Sequence, residues 1–296
     1  DNSAGLMSAG TELRIESANP AGPRSLQVVN QEGTLIAGAA LRVDVAGMSG
    51  KGQLLSQGDI DLKMTQDYVH TGVLRAARDA TVESTASVVN DGEMSAGSNL
   101  HVSADSLENR VDGVLQGAQV HLEVTGPHIL TNRGLVDGQQ VDIDAATLRN
   151  IGTGRVYAGR LAIRANELVN EAEGGQAPVI AGRERLDLGA GTLDNREHAL
   201  IFSAGDMAIG GTLDGDRQAT GEAVLLRNTS ATIEALGDLR ITARDVVNTD
   251  AHFSTEVIDL PPQQVTQLAG EGSPNRCAFQ WSQLLRLQGY GCHLSC

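Results

Sequence analysis

The sequence predicts an all-β fold: a right-handed parallel β-helix, or solenoid, of about eleven coils of ~20 residues, followed by a short non-repeat C-terminal tail. Three observations predict it. A small-residue marker, Ala-Gly or a close variant, recurs at nearly constant spacing. A run of alternating aliphatic residues follows each marker. An Asn-containing corner recurs before the next one.

The marker glycine falls at Gly10, Gly38, Gly58, Gly97, Gly117, Gly138, Gly159, Gly182, Gly205 and Gly237, and Arg78 takes its place in one copy. From position 38 to 159 the spacing stays between 19 and 21 residues. Leu41/Val43/Val45, Ile60/Leu62/Met64, Leu100/Val102, Val120/Leu122/Val124, Val141/Ile143 and Leu161/Ile163 follow successive markers. Alternation of this kind puts the aliphatics on one side of a short strand and leaves the intervening Asp, Arg, His and Glu on the other. The corner element reads aliphatic, any residue, Asn, and places Asn90, Asn109, Asn132, Asn150, Asn170 and Asn195 at matching points, with related copies at Asn30, Asn228 and Asn248. Asn and Gly tolerate the left-handed backbone of sharp corners. A third apolar stretch, such as Thr34-Leu35-Ile36-Ala37, leads into the next marker.

Three short strands and three corners cannot bury an apolar face alone. Stacked coils can, with like strands paired at about 4.8 Å, aliphatics in continuous ladders and corner amides bonding their neighbours above and below. Right-handedness is expected because parallel connections in one sheet are overwhelmingly of that hand. An α-solenoid would need helical periodicity over ten or more residues, and a leucine-rich repeat its dense Leu-x-x-Leu-x-Leu pattern. Neither is present.

Composition agrees. There are 35 Gly, and the aromatics are 3 Phe, 3 Tyr and 1 Trp, too few for an ordinary globular core. The net charge of −15 argues against nucleic-acid binding, which needs clustered Lys and Arg. No run of about 18 apolar residues could span a membrane as a helix. The chain starts at Asp1 in mid-pattern and reads as a cut from a larger protein, with more coils expected before it.

The repeat Leu-x-Asn-x-Gly-x-(aliphatic)-x-Ala-Gly-x-x-Leu-x-(aliphatic)-x-Ala resembles the filamentous-haemagglutinin repeat of two-partner-secretion exoproteins. That group includes filamentous adhesins and contact-dependent growth inhibition proteins. The copies from Asn90 to Ala104 and from Asn132 to Ala145 carry the resemblance best, and it extends over residues 1 to about 250. The stretch Val247 to Glu256 is similar to the segment that closes such arrays. Residues 18 to 28, 171 to 178 and 211 to 224 depart from it as insertions, and Arg78 breaks the marker. The resemblance implies a structural shaft segment, secreted to the surface of a Gram-negative bacterium. Export would run through an outer-membrane β-barrel transporter that reads a secretion domain outside this segment. The partner at the fibre's working end would be a host or bacterial surface receptor.

Parallel β-helices also house polysaccharide-active enzymes, whose chemistry would need a pair of carboxylates. Asp142/Asp144 and Asp59/Asp61 are same-face carboxylate pairs of the type glycoside hydrolysis needs, but as alternating strand residues they read as solvated outer rungs. His101 and His121 should stack on adjacent coils, also as outer rungs. The sequence therefore predicts no catalytic residue, no resident metal and no cofactor, and a β-helical lyase or hydrolase is the alternative. The repeats are assigned to residues 1–256. Residues 257–296 are read as a linker and the start of a non-repeat region or cap. There Pro261-Pro262 breaks the pattern, Gly270 to Pro274 forms a linker and Ala278 to Leu287 a short amphipathic helix. All three cysteines, Cys277, Cys292 and Cys296, lie in it.

Overall fold

The computed structural model describes residues 1–18, 22–258 and 284–287. Every regular element among them is a β-strand. Residues Asp1–Thr249 form one unit and Asp250–Cys296 a second.

The first unit is a parallel β-solenoid with three faces. On the first face, strands from Leu6–Ala9 through Thr34–Ala37 to Thr232–Ala235 pair in eleven parallel rungs. The second face runs from Glu12–Glu16 to Leu239–Ile241. The third runs from Tyr68–His70 to Ala243–Thr249. Gln27–Val29 and Gly47–Ser49 pair separately in the earliest coils, so the expected insertion at 18 to 28 ends in a regular strand. In mid-rod the corners are tight enough for one strand to run through two of them, as Leu135–Ile151 and Arg155–Glu171 do.

The core is a set of one-residue-wide aliphatic ladders. Leu35, Leu54, Leu74, Met94, Leu115, Val136, Val156, Ile180 and Ile201 stack on the first face, all buried. Val43, Leu62, Val82, Val102, Leu122, Ile143, Ile163 and Leu188 do so on the second. Tyr68, Val88, Leu107, Leu130, Leu148, Leu168 and Leu193 line the third. Each such side chain contributes about 1.5–3 kcal/mol by leaving water. Small aliphatics suit a narrow triangular interior in which every layer must match the next in shape, which explains the shortage of rings.

The marker glycines do not occupy one structural position. Gly117, Gly138 and Gly182 sit in the strand ladder itself, in register with Ala158. Gly38 and Gly97 come one residue after the equivalent Ala37 and Ala96, and Gly58 comes two after Ser56. What many share is lack of room: a Cβ on Gly97 would stand 2.1 Å from the Ala77 carbonyl oxygen of the coil before, and one on Gly58 2.1 Å from that of Ala39. The marker is thus a crowded corner of variable length rather than one fixed residue.

Two insertions fold back on the rod. Residues 171 to 178 make a turn closed by Glu173 and Gln176. Residues 211 to 224 contain an antiparallel hairpin in which Thr212–Leu213 pairs with Ala219–Thr220. In the second unit, Thr255–Ile258 pairs antiparallel with Leu284–Leu287. This corrects the helix expected over 278 to 287 for its last four residues. Leu284-Leu285-Arg286-Leu287 is too short an apolar run for periodicity to separate helix from strand, and strand pairing decides it. The remainder of that helix, Pro261-Pro262, the linker at 270 to 274 and the three cysteines lie outside the described residues.

Candidate functional site

The third-face corner is built from amides. Asn90 Nδ2 donates to Asn109 Oδ1, and the same bond links Asn109 to Asn132, Asn132 to Asn150, Asn150 to Asn170, Asn170 to Asn195, Asn195 to Asn228 and Asn228 to Asn248, each at 2.8 Å. The same Nδ2 groups also donate to carbonyls of the following coil, Asn90 to Val114 at 3.2 Å and Asn109 to Leu135 at 3.2 Å. Asn90, Asn109, Asn132, Asn150, Asn170 and Asn195 are wholly buried. In a buried amide with both functions bonded the hydrogen bonds offset the cost of desolvation, so these side chains tie successive coils together.

The ladder is interrupted once. Asn2 donates to Asn30 at 2.8 Å, and then Gly50, with φ +107°, and His70 take the corner. His70 is buried. Its Nε2 lies 2.9 Å from the Glu93 carbonyl, in the role the corner amides play, and its Nδ1 lies 2.8 Å from the Tyr68 hydroxyl. The pattern assigns the proton to Nε2, with Tyr68 donating to Nδ1. Burial pushes His70 below the ordinary imidazole value, and burial likewise pushes the Tyr68 phenol up.

The carboxylate pairs of the second face are neutralised. Arg78 grips Asp59 through Nε at 3.1 Å and Nη2 at 2.8 Å, and Arg42 stands 3.6 Å from Asp61. Asp142 and Asp144 are bridged by Arg217 from the 211–224 hairpin. Its Nε donates to Asp142 at 3.0 Å, and Nη1 donates to the two Asp144 oxygens at 2.9 and 3.0 Å. Asp144 also pairs with Arg164 at 2.8 Å. Partial burial alone would raise the Asp144 pKa, but His121, Arg217 and Arg164 overcome it and hold the carboxyl at about 2. A carboxyl so low cannot serve as a general acid, and one so engaged is not a free nucleophile. The hairpin is docked a second time where the Ala219 amide donates to Asp187 at 2.9 Å. Arg217 reaches this position with φ +61°. Sequence reading missed Arg217 because its partners lie 73 and 75 residues away.

His101 and His121 are in register on neighbouring strands, with ring centroids 5.0 Å apart and planes at 85°. His101 is lowered by partial burial and by His121, whereas Asp144 raises His121. No group of three or more His, Cys, Asp or Glu is gathered to hold a metal among the described residues.

A groove of about 780 Å³ follows the corner between the first two faces. Ala76, Ala96, Gly97, Gly117 and Gly138 are among the residues that floor it. Its one carboxylate, Asp137, is paired with Arg183 at 2.9 Å. It holds no convergent acid pair.

Against this geometry, comparison with known proteins gives two matches. Residues 1–63 match the family model described as Haemagglutinin repeat. Deoxyribonuclease CdiA of Dickeya dadantii (strain 3937) is 31% identical over 196 residues, 64% of this chain and 5% of that protein. The chain therefore spans a small fraction of the curated relative it matches. No solved structure matches. Both matches agree with the resemblance carried by the repeat, to a filamentous haemagglutinin- and CdiA-like region.

Proposed function

We propose that this chain is a structural shaft segment of a large secreted, cell-surface filamentous protein, either an adhesin or a contact-dependent inhibition protein that delivers a toxin. The observation that carries the reading is the continuous stacking of eleven rungs on two faces of the solenoid, with aliphatic ladders inside and arginine-paired carboxylates outside. Such a body transmits length and stiffness. The haemagglutinin repeat and the CdiA relative support export by an outer-membrane β-barrel transporter to the surface of a Gram-negative bacterium. Receptor binding, and any nuclease activity of the kind named in the relative, would belong to other parts of the full protein. Within this reading the repeat region of 1–256 is the shaft, and 257–296 begins a different region.

The polysaccharide-enzyme alternative loses its best candidates to Arg78 and Arg217. Antibodies against residues 1–249 should label intact cells that express the full-length protein, and labelling should vanish when the transporter is deleted. Protein found only inside such cells would refute surface export. The purified chain should leave polysaccharides uncut. Turnover abolished by Asp142→Asn or Asp144→Asn would refute the structural reading.

A further inference from the structure

We propose that His101 and His121 form a two-imidazole chelating site for a borderline transition-metal ion, Zn²⁺, Ni²⁺ or Cu²⁺, on the outer side of the second face. The two residues are directly paired across adjacent parallel strands, where same-face side chains share one spacing. Their ring centroids are 5.0 Å apart. Two imidazoles bound to one ion at about 2.0–2.1 Å, with a near-tetrahedral angle between them, have ring centres about 5 Å apart. The strand register therefore brings the rings to a separation that fits chelation. Their donors are available. The His101 ring has no hydrogen bond to the described residues. His121 Nε2 is buried and faces Asp144 Oδ2 at 3.5 Å, so the ring nitrogen left for an ion is Nδ1, which has no hydrogen bond among the described residues. Imidazole selects borderline ions over Mg²⁺ or Ca²⁺.

The hairpin sets how many ligands the protein can offer. Asp142 is the next residue in register after His121. It is held away by Arg217 at 3.0 Å and by Gln140 at 2.8 Å. Asp144 is taken by Arg164 and Arg217. The ion would thus be bound by two imidazoles and water, with a carboxylate able to join only if Arg217 lets go.

The test is calorimetric titration of NiCl₂ and ZnCl₂ into the full 296-residue chain at neutral pH, carrying Cys277→Ser, Cys292→Ser and Cys296→Ser so that thiolates do not compete. One equivalent should bind. His101→Ala and His121→Ala should each weaken binding roughly tenfold or more, while His128→Ala, on a different loop, should not. Zn²⁺ should move the imidazole NMR signals of His101 and His121 and leave those of buried His70 in place, a readout that needs no variant. Arg217→Gln, which frees Asp142, should tighten binding; a loss of binding in that variant would contradict the assignment. Absence of binding by the parent chain, or binding undiminished in both histidine variants, would overturn it.

Discussion

Asn132 shows how one residue type fixes the coil. Its amide donates to Asn150 and to the Arg155 carbonyl, and its oxygen accepts from Asn109. Asn132→Ala leaves one Asn109 donor and the Asn150 acceptor without their partners in a dry corner. It should cost about 1–3 kcal/mol in urea unfolding, whereas Ala at the exposed Gln116 should cost almost nothing. His70 takes over the same bond at the break in the ladder, and with it comes a proton dependence. Burial lowers its folded pKa, so the unfolded chain binds the proton more readily. Stability contributed by neutral His70 is complete above the unfolded value near pH 6.5. It should fall as pH drops below that value, until the folded pKa is passed. The ionised Glu93, held low by Arg75, favours the imidazolium, but burial outweighs it. The double variant Tyr68→Phe/His70→Asn should have a flatter stability profile between about pH 7 and 5. An unchanged slope would place the acid sensitivity elsewhere.

The hairpin at 211–224 and the turn at 171–178 are the elements that depart from the repeat, and both act as straps across coils. Glu173 takes Arg133 in a two-bond pair at 2.6 and 3.0 Å, and Arg217 takes Asp142 and Asp144. Arg217→Ala should speed hydrogen exchange in the hairpin, the Ala219 amide included, and leave exchange at the buried Leu122 and Ile143 amides unchanged. Equal acceleration in the core would mean that the strap supports the coil rather than rests on it. At this scale the sequence was legible where period 2 operates. Leu100, Val102, Val120, Leu122, Val141 and Ile143 are all buried as the alternation requires, and the corner Asn positions stack as their spacing suggested. Corner length was not legible. Gly97 and Gly117 look alike along the chain but differ in register, because a corner can gain or lose a residue without disturbing the strands it joins. Nor could the straps be read: Arg217 finds its acids only after stacking brings distant coils together. The strand at Leu284–Leu287 failed for a simpler reason, since four apolar residues do not declare their period.

The first unit as a whole is close to one-dimensional: each coil touches mainly its neighbours, and length grows by one strand spacing per turn. Its low aromatic content, variable outer residues and internal ladders all follow from that constraint. The outer positions of the first face provide a ruler. Arg75, Ser95, Gln116, Asp137, Tyr157, Ala181, Phe202 and Glu234 succeed one another in register. In a cysteine-free background, a spin label at 75 can be paired with a second at 157, 202 or 234, which are four, six and seven rungs away. Double electron–electron resonance should then give distances near 19, 29 and 34 Å, rising by about 4.8 Å per rung. Distances that fail to increase with rung number, or that scatter broadly at every pair, would contradict a stacked shaft.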